Sequence, residues 1–122
     1  MTYKIFWEDR GLNIKWSGII TDEEIIRPNG EIYGNKLFEN IDYQIADFLN
    51  ATPSIFSVRD ILVIYTLEKQ ASRWNKKLMV AHIARDPEFI NSIKAYESKM
   101  INTGWKFGIF DNLGDTRKWV NA

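Results

Sequence analysis

The sequence predicts an α/β fold in which strands and helices alternate along a chain of 122 residues. Two stretches indicate this. Residues 3–16 alternate apolar and polar side chains on either side of a turn, which is typical of an antiparallel hairpin. Residues 78–84 form a short apolar run without alternation, and a helix start follows at once, which is typical of a central parallel strand. We therefore expect a mixed sheet with helices packed against it, formed by one domain over residues 1–122.

The N-terminal hairpin has a register that the side chains define. Residues 9–11, Asp-Arg-Gly, are turn formers between the two strands. One pairing places every large apolar side chain on the same face, and that face can then be buried. The pairs are Trp7 with Leu12, Ile5 with Ile14, and Tyr3 with Trp16.

The first helix begins with a capping box and then meets a proline. The Thr21 hydroxyl can accept from the third residue's N–H, and Glu24 can reach back to the cap. Pro28 follows about two turns later. Proline inside a helix removes a hydrogen bond and costs ~3 kcal/mol. With Gly30 and Gly34 nearby, we expect a short helix that breaks between residues 27 and 30.

The rest of the chain supplies three more strands and three more helices. We predict strands over residues 41–49, 78–84 and 105–110. A second capping box, Ser57 with Asp60, opens a helix over residues 57–74. Asp86 with Pro87 opens a third helix. Asp111 or Asn112 caps the fourth, giving about four helices in all.

The predicted helix over residues 57–74 is apolar on two sides. One side must lie on the sheet, and the other meets a neighbouring helix or a partner. We expect the uncovered side to form a homodimer contact or to bind a protein partner. The first set is Val58, Ile61, Leu62 and Tyr65, and the second is Val63, Ile64, Leu67, Ala71 and Trp74.

Composition argues against several classes of function. Sixteen basic residues balance sixteen acidic ones, so we expect no nucleic-acid binding. The chain has no cysteine and one histidine, and we expect no disulfide, metal or cofactor. No apolar run approaches the ~20 residues of a membrane span. With no signal peptide at the N-terminus either, we expect a cytoplasmic protein.

Three segments carry a family resemblance: Tyr-Gln-Ile-Ala-Asp-Phe at 43–48, Val-Ala-His-Ile-Ala at 80–84, and Gly-Trp-Lys-Phe-Gly-Ile-Phe at 104–110 followed by Trp119 and Val120. With the order of elements, the chain resembles the STAS-like, or SpoIIAA-like, superfamily of the bacterial anti-anti-sigma factors, and most closely an uncharacterised bacterial branch of stand-alone domains. The resemblance implies a five-stranded mixed sheet with right-handed βα crossovers and helices mainly on one face. It also implies a non-enzymatic module for protein interaction or regulation.

The same resemblance singles out Ser57 as a candidate phosphorylation site. Anti-anti-sigma factors carry a phosphorylated serine, preceded by aspartate, where the helix after the third strand begins. Ser57 stands near the matching position, but Phe56 replaces the aspartate, and Val58 and Arg59 replace small residues. The pattern favours a plain N-cap for Ser57 over a phosphosite.

A candidate binding site lies at the carboxyl edge of the predicted sheet, where ligands settle in wound α/β folds. Asp47, Ser57 and Arg85 fall there. An alternative is a carrier of a small apolar ligand or lipid, in a cavity between the sheet and helices lined by aromatic residues such as Tyr33, Phe38, Phe56 and Trp74.

A less favoured alternative is an enzyme using Asp47 and His82, because a single histidine in an apolar strand is more often a hydrogen-bonded core residue.

Overall fold

The computed structural model describes residues 2–53 and 57–122. Nine strands and helices follow one another in these residues, with short 3-10 helices at Lys36–Asn40 and Ile101–Thr103. Their bounds are β1 Tyr3–Trp7, β2 Gly11–Ile20, α1 Asp22–Tyr33, β3 Tyr43–Pro53, α2 Val58–Ala71, β4 Met79–Ile83, α3 Pro87–Lys99, β5 Lys106–Phe110 and α4 Leu113–Val120.

The five strands form one sheet whose spatial order is the order of the sequence. β1 is antiparallel to β2, and each later strand is parallel to the one before it. The predicted hairpin register is confirmed: Trp7 pairs with Leu12 and Tyr3 with Trp16. The mixed five-stranded sheet and its four helices therefore have the predicted architecture.

The sheet buries a core on each of its faces, because successive side chains of a strand point to opposite sides. The larger core lies under α1, α2 and α3, and the smaller one lies under α4. Three of the four helices thus cover one face, as predicted. From β3, Ala46 and Phe48 face the larger core, whereas Tyr43 and Ile45 face the smaller one.

The predicted break in α1 is wrong. The helix runs without interruption from Asp22 to Tyr33, with Pro28 inside it. Pro28, Asn29 and Ile32 are its buried residues. Burial of this face offsets the hydrogen bond that proline removes, since most helical stability in proteins comes from tertiary packing.

The predicted helix caps are confirmed. The Ser57 hydroxyl accepts from Asp60 N, and the Asp60 carboxylate accepts from Ser57 N, which completes the capping box of α2. Asp86 caps α3 ahead of Pro87, and Asn112 caps α4. These local rules set where each helix begins.

Hydrogen bonds of Asn75 hold the connection between α2 and β4 in place. Its Nδ2 donates to the carbonyl oxygens of Phe38 and Ile41, at 2.8 Å each. The Trp105 indole N–H donates to Asn75 O at 2.6 Å. The buried Asn75 therefore links the segment before β3 and the residue before β5 to the connection that leads into β4.

Candidate functional site

The predicted edge residues Asp47, Ser57 and Arg85 have separate roles. Asp47 Oδ1 accepts from Leu49 N at 3.0 Å, and Ser57 caps α2. Arg85 Nε donates to Asp111 O at 3.2 Å. Within the described residues, no hydrogen bond or ion pair links these three to one another. A shared site for them stays a prediction.

The pairing of Asp47 with His82 is wrong. Ala46 is the register partner of His82, so the next residue, Asp47, projects from the opposite face of the sheet. The Nδ1 of His82 is instead 3.4 Å from Glu97 Oε2, and both atoms are buried. An acid–base pair of Asp47 and His82 cannot form across the sheet.

A cavity of about 80 Å³ lies between the sheet and helices α1, α2 and α3. Its floor is formed by side chains of the three central strands, where Ile14, Ala46 and His82 are register neighbours. Ala46 leaves room here because its side chain is a single methyl group. The walls include the aromatic side chains of Trp16, Phe48, Phe89 and Tyr96.

Besides Ser92, four polar side chains from four different elements line this cavity. They are Asn29 of α1, Gln44 of β3, Glu68 of α2 and His82 of β4. Within the described residues, Asn29 Nδ2, Gln44 Oε1 and Glu68 Oε2 are buried and have no hydrogen-bond partner, whereas His82 Nδ1 lies 3.4 Å from Glu97 Oε2. Such atoms are uncommon in folded proteins and usually mark bound water, an ion or a ligand.

Glu68 is an uncharged acid at this site. Burial raises the pKa of its carboxyl to about 8, while the hydrogen bond from Tyr33 acts in the opposite direction. Tyr33 Oη donates to Glu68 Oε1 at 3.0 Å, and burial beside Glu68 also raises the pKa of Tyr33 well above its usual value. The cavity wall is therefore polar without carrying a fixed negative charge at neutral pH.

The aromatic lining predicted for a ligand cavity is wrong. Tyr33 and Phe38 pack with Trp105 in the core and do not line the cavity, and Trp74 is 58% exposed. Phe56 lies outside the described residues. The actual cavity is also roughly half of the ~150 Å³ that holds benzene in an engineered apolar core, so it is too small for a lipid chain.

Sequence reasoning missed Gln44 and Glu68 because both look like surface residues. The signal that could have found Gln44 is its position, which alternation places on the same face as Ala46 and Phe48. Glu68 lies one turn after Ile64 and two turns after Ile61 on the inward side of α2. The sequence signal for such a site is a polar residue at a position where the period of the strand or helix predicts a core-facing side chain.

The exposed apolar residues of α2 match neither of the two predicted sets. Each predicted set is divided, because Ile61, Ile64 and Tyr65 pack on the core whereas Leu62 and Val63 are exposed. We define the outer stripe of α2 as the apolar residues that face away from the core. They are Val58 at 73%, Leu62 at 45% and Val63 at 37% exposure, with the partly exposed Leu67 beside them.

A polar cluster lies on the other face of the sheet, next to α4. Arg117 binds Glu8 with both guanidinium nitrogens, Nη1 to Oε1 at 2.5 Å and Nη2 to Oε2 at 2.6 Å. Tyr43 Oη also donates to Glu8. These bonds lower the pKa of Glu8, the Arg117 bond most, and raise that of Arg117. The cluster is internally paired and fastens α4 to the hairpin.

The described residues offer neither a metal-binding cluster nor a membrane-spanning helix. Residues 2–53 and 57–122 contain no group of three or more His, Asp or Glu side chains placed to hold a metal ion. Among the helices of these residues, none combines the length and apolar character that crossing a bilayer requires.

Comparison with known proteins identifies the fold. No protein-family model matches the chain, and no curated protein matches it significantly. A crystal structure of an uncharacterised protein of the DUF3478 family with a SpoIIAA-like fold, from Shewanella loihica PV-4, superposes with a TM-score of 0.54 at 20% identity. The match covers 97% of this chain and 91% of the other. The chain therefore has the SpoIIAA-like fold.

Proposed function

We propose that this chain is a non-enzymatic interaction module that binds an apolar segment of another protein on the outer stripe of α2. The observation that carries the proposal is the exposure of Val58, Leu62 and Val63 side by side on one helix. Contiguous apolar surface on a soluble domain is typical of interaction sites. A shallow groove along the stripe, lined by Arg59, Leu62, Val63, Thr66 and Leu67, offers room for side chains of a partner.

The charges around the stripe favour a partner with acidic flanks. Arg59, Lys69 and Arg73 are exposed on or just after α2, whereas Asp60 is engaged in the capping box and Glu68 is buried. A basic rim attracts acidic residues of a partner and guides its approach.

The same charges disfavour a second copy of this chain as the occupant. In one two-fold symmetric arrangement, the α2 helices of two copies would cross in opposite directions with their outer stripes in contact. Arg59 of one copy would then approach Lys69 of the other, and like charges across an interface are unfavourable. We therefore propose a different protein rather than a homodimer.

Ser57 offers a means of regulation within this proposal. A phosphate on Ser57 would add a charge of about −2 next to Arg59 and at the start of the outer stripe. The added charge would repel an acidic partner segment. Phosphorylation of Ser57 would therefore release the partner.

A photo-crosslinking amino acid at position 62 tests the proposal. In cells that naturally express the chain, we expect a crosslink to another protein, mapped by mass spectrometry to an apolar segment flanked by Asp or Glu. The same amino acid at Ile101, which is 74% exposed on a 3-10 helix, is the matched control. A crosslink from position 62 to a second copy of the chain, or none at all, would contradict the proposal.

Affinity measurements with the crosslinked segment as a synthetic peptide then test the chemistry. We expect Leu62→Asp to weaken peptide binding at least tenfold and Ile101→Asp to leave it unchanged. Arg59→Gln should weaken binding and reduce its dependence on salt, because screening acts on the basic rim. Equal binding by the wild-type chain and Leu62→Asp would show that the stripe is not the site.

A further inference from the structure

We infer that the cavity between the sheet and helices α1, α2 and α3 is a binding site for a small uncharged group that both donates and accepts hydrogen bonds, such as a primary amide. This inference is independent of the proposed partner surface, which lies on the opposite side of α2. It rests on three unpartnered polar atoms, the size of the cavity and its balance of charge.

The unpartnered atoms require an occupant. Asn29, Gln44 and Glu68 are each at least nine-tenths buried, at 7%, 5% and 7% exposure. Leaving a buried donor or acceptor without a partner costs about 1–3 kcal/mol. Three such residues, from three different elements, line one cavity, and within the described residues each has a buried atom without a partner. Packing alone does not require three unpaired polar atoms around one cavity. A ligand that forms hydrogen bonds with these atoms would recover the free energy that their burial costs.

The chemistry of the lining indicates the class of ligand. Asn29 Nδ2 is a donor and Gln44 Oε1 is an acceptor, so the cavity offers both kinds of partner. Glu68 keeps its proton at neutral pH because burial raises its pKa, and its free oxygen can donate. Among the described residues, no Lys or Arg lines the cavity to neutralise an anion. A primary amide, with two N–H donors and one carbonyl acceptor, matches this set.

The volume sets the size of the group that is recognised. A cavity of about 80 Å³ is several times the ~10–15 Å³ that a single water needs. It suits a group of a few non-hydrogen atoms. The aromatic side chains of Trp16, Phe48 and Phe89 supply flat apolar walls that enclose the rest of such a group.

The rim of the cavity gives a ligand a way in. Ile25, Ile64 and Ser92 line the cavity and are partly exposed, so its edge reaches the surface between the helices. A larger molecule could therefore place an amide end inside and keep the rest outside.

Titration of the full chain with four small probes, followed by NMR, tests the inference. Acetamide, acetate and acetamidinium have nearly the same shape and differ in charge, and xenon reports a dry apolar cavity. At pH 6, we expect acetamide to cause saturable shifts of the Asn29 and Gln44 side-chain amide signals. The amide of Gln70, which is exposed on α2, is the internal control and should not shift.

A pair of variants locates the binding. Gln44→Leu should weaken acetamide binding at least tenfold, whereas Gln70→Leu should leave it unchanged. If Gln44→Leu does not fold, the comparison of the four probes on the wild-type chain decides alone. Tighter binding of acetate or acetamidinium, binding of xenon alone, or the absence of any saturable shift would each overturn the inference. None of these results depends on the partner surface of α2, so failure here is distinct from failure of the proposed function.

Discussion

Tyr33 Oη donates a hydrogen bond of 3.0 Å to Glu68 Oε1, and this bond joins α1 to α2 inside the core. Burial raises the pKa of both groups, so both are uncharged at neutral pH. The second oxygen of Glu68, a residue that lines the cavity, is buried and has no hydrogen-bond partner in the part of the chain that the structure describes. Ionisation of Glu68 would place a negative charge where water cannot solvate it, and this makes the fold sensitive to pH.

The first prediction is that stability falls as pH rises from about 4.5 to about 8. In this range the unfolded chain has released the Glu68 proton, whereas the folded chain still holds it. The folded state binds more protons, so raising the pH favours unfolding, by up to ~1.4 kcal/mol per pH unit. Urea unfolding at a series of pH values measures this slope.

Two substitutions isolate the contribution of Glu68. Glu68→Gln cannot ionise, so it should flatten the slope between pH 4.5 and 8. Glu88→Gln, at an exposed position in the first turn of α3, is the control and should keep the wild-type slope. An identical slope in wild type and Glu68→Gln would show that Glu68 is ionised in the folded chain.

The second prediction concerns the bidentate pair of Arg117 and Glu8. We expect a double-mutant cycle with Arg117→Gln and Glu8→Gln to give a coupling energy of about 1–2 kcal/mol, because two charge-assisted bonds are partly shielded from water. The pair of Arg10 and Asp42, in which the arginine side chain is 73% exposed, is the control, and its coupling should be below about 1 kcal/mol.

Acid should weaken the same pair. Because the pKa of Glu8 is lowered in the folded chain, its contribution is present above the unfolded value of 4.5 and is lost as pH falls through the lower, folded value. The cycle measured at pH 7 should therefore give a larger coupling than at pH 2. Equal couplings at both pH values would contradict this account.

The third prediction concerns the cap of α2. Replacing Ser57 by alanine removes the acceptor for Asp60 N and should cost about 1 kcal/mol of unfolding free energy. Ser57→Asp keeps an acceptor and should cost less. Ser98→Ala, inside α3, is the control and should change stability little, because alanine favours helix interiors. Denaturant unfolding that is unchanged in Ser57→Ala would exclude the capping role.

The fourth prediction concerns Asn75. Alanine at this position leaves the buried carbonyls of Phe38 and Ile41 without donors, and we expect a loss of about 2–4 kcal/mol. Asn91→Ala, at an exposed position of α3, should change stability by less than about 0.5 kcal/mol. Thermal or urea unfolding compares the two variants. Similar stability for both would mean that water replaces the lost donor.

The sequence by itself determined the features that depend on neighbouring residues. The hairpin register follows from alternation around the turn, because a shift by one residue would turn Trp7 and Leu12 to the wrong face. The starts of α2 and α3 follow from Ser57 and Asp86, whose side chains bond to backbone N–H groups a few residues away.

Only the tertiary structure decided the features that depend on distant contacts. α1 continues through Pro28 because its buried face packs on the core. The sheet and the neighbouring helices cover some apolar residues of α2 and leave others exposed. The exposed ones form the outer stripe. The cavity exists because Gln44 and Glu68, 24 positions apart in the sequence, turn toward the same small space beside Ala46. Local propensity does not predict that Gln44 and Glu68 line the same cavity, because burial of a polar side chain is set by the elements that pack around it.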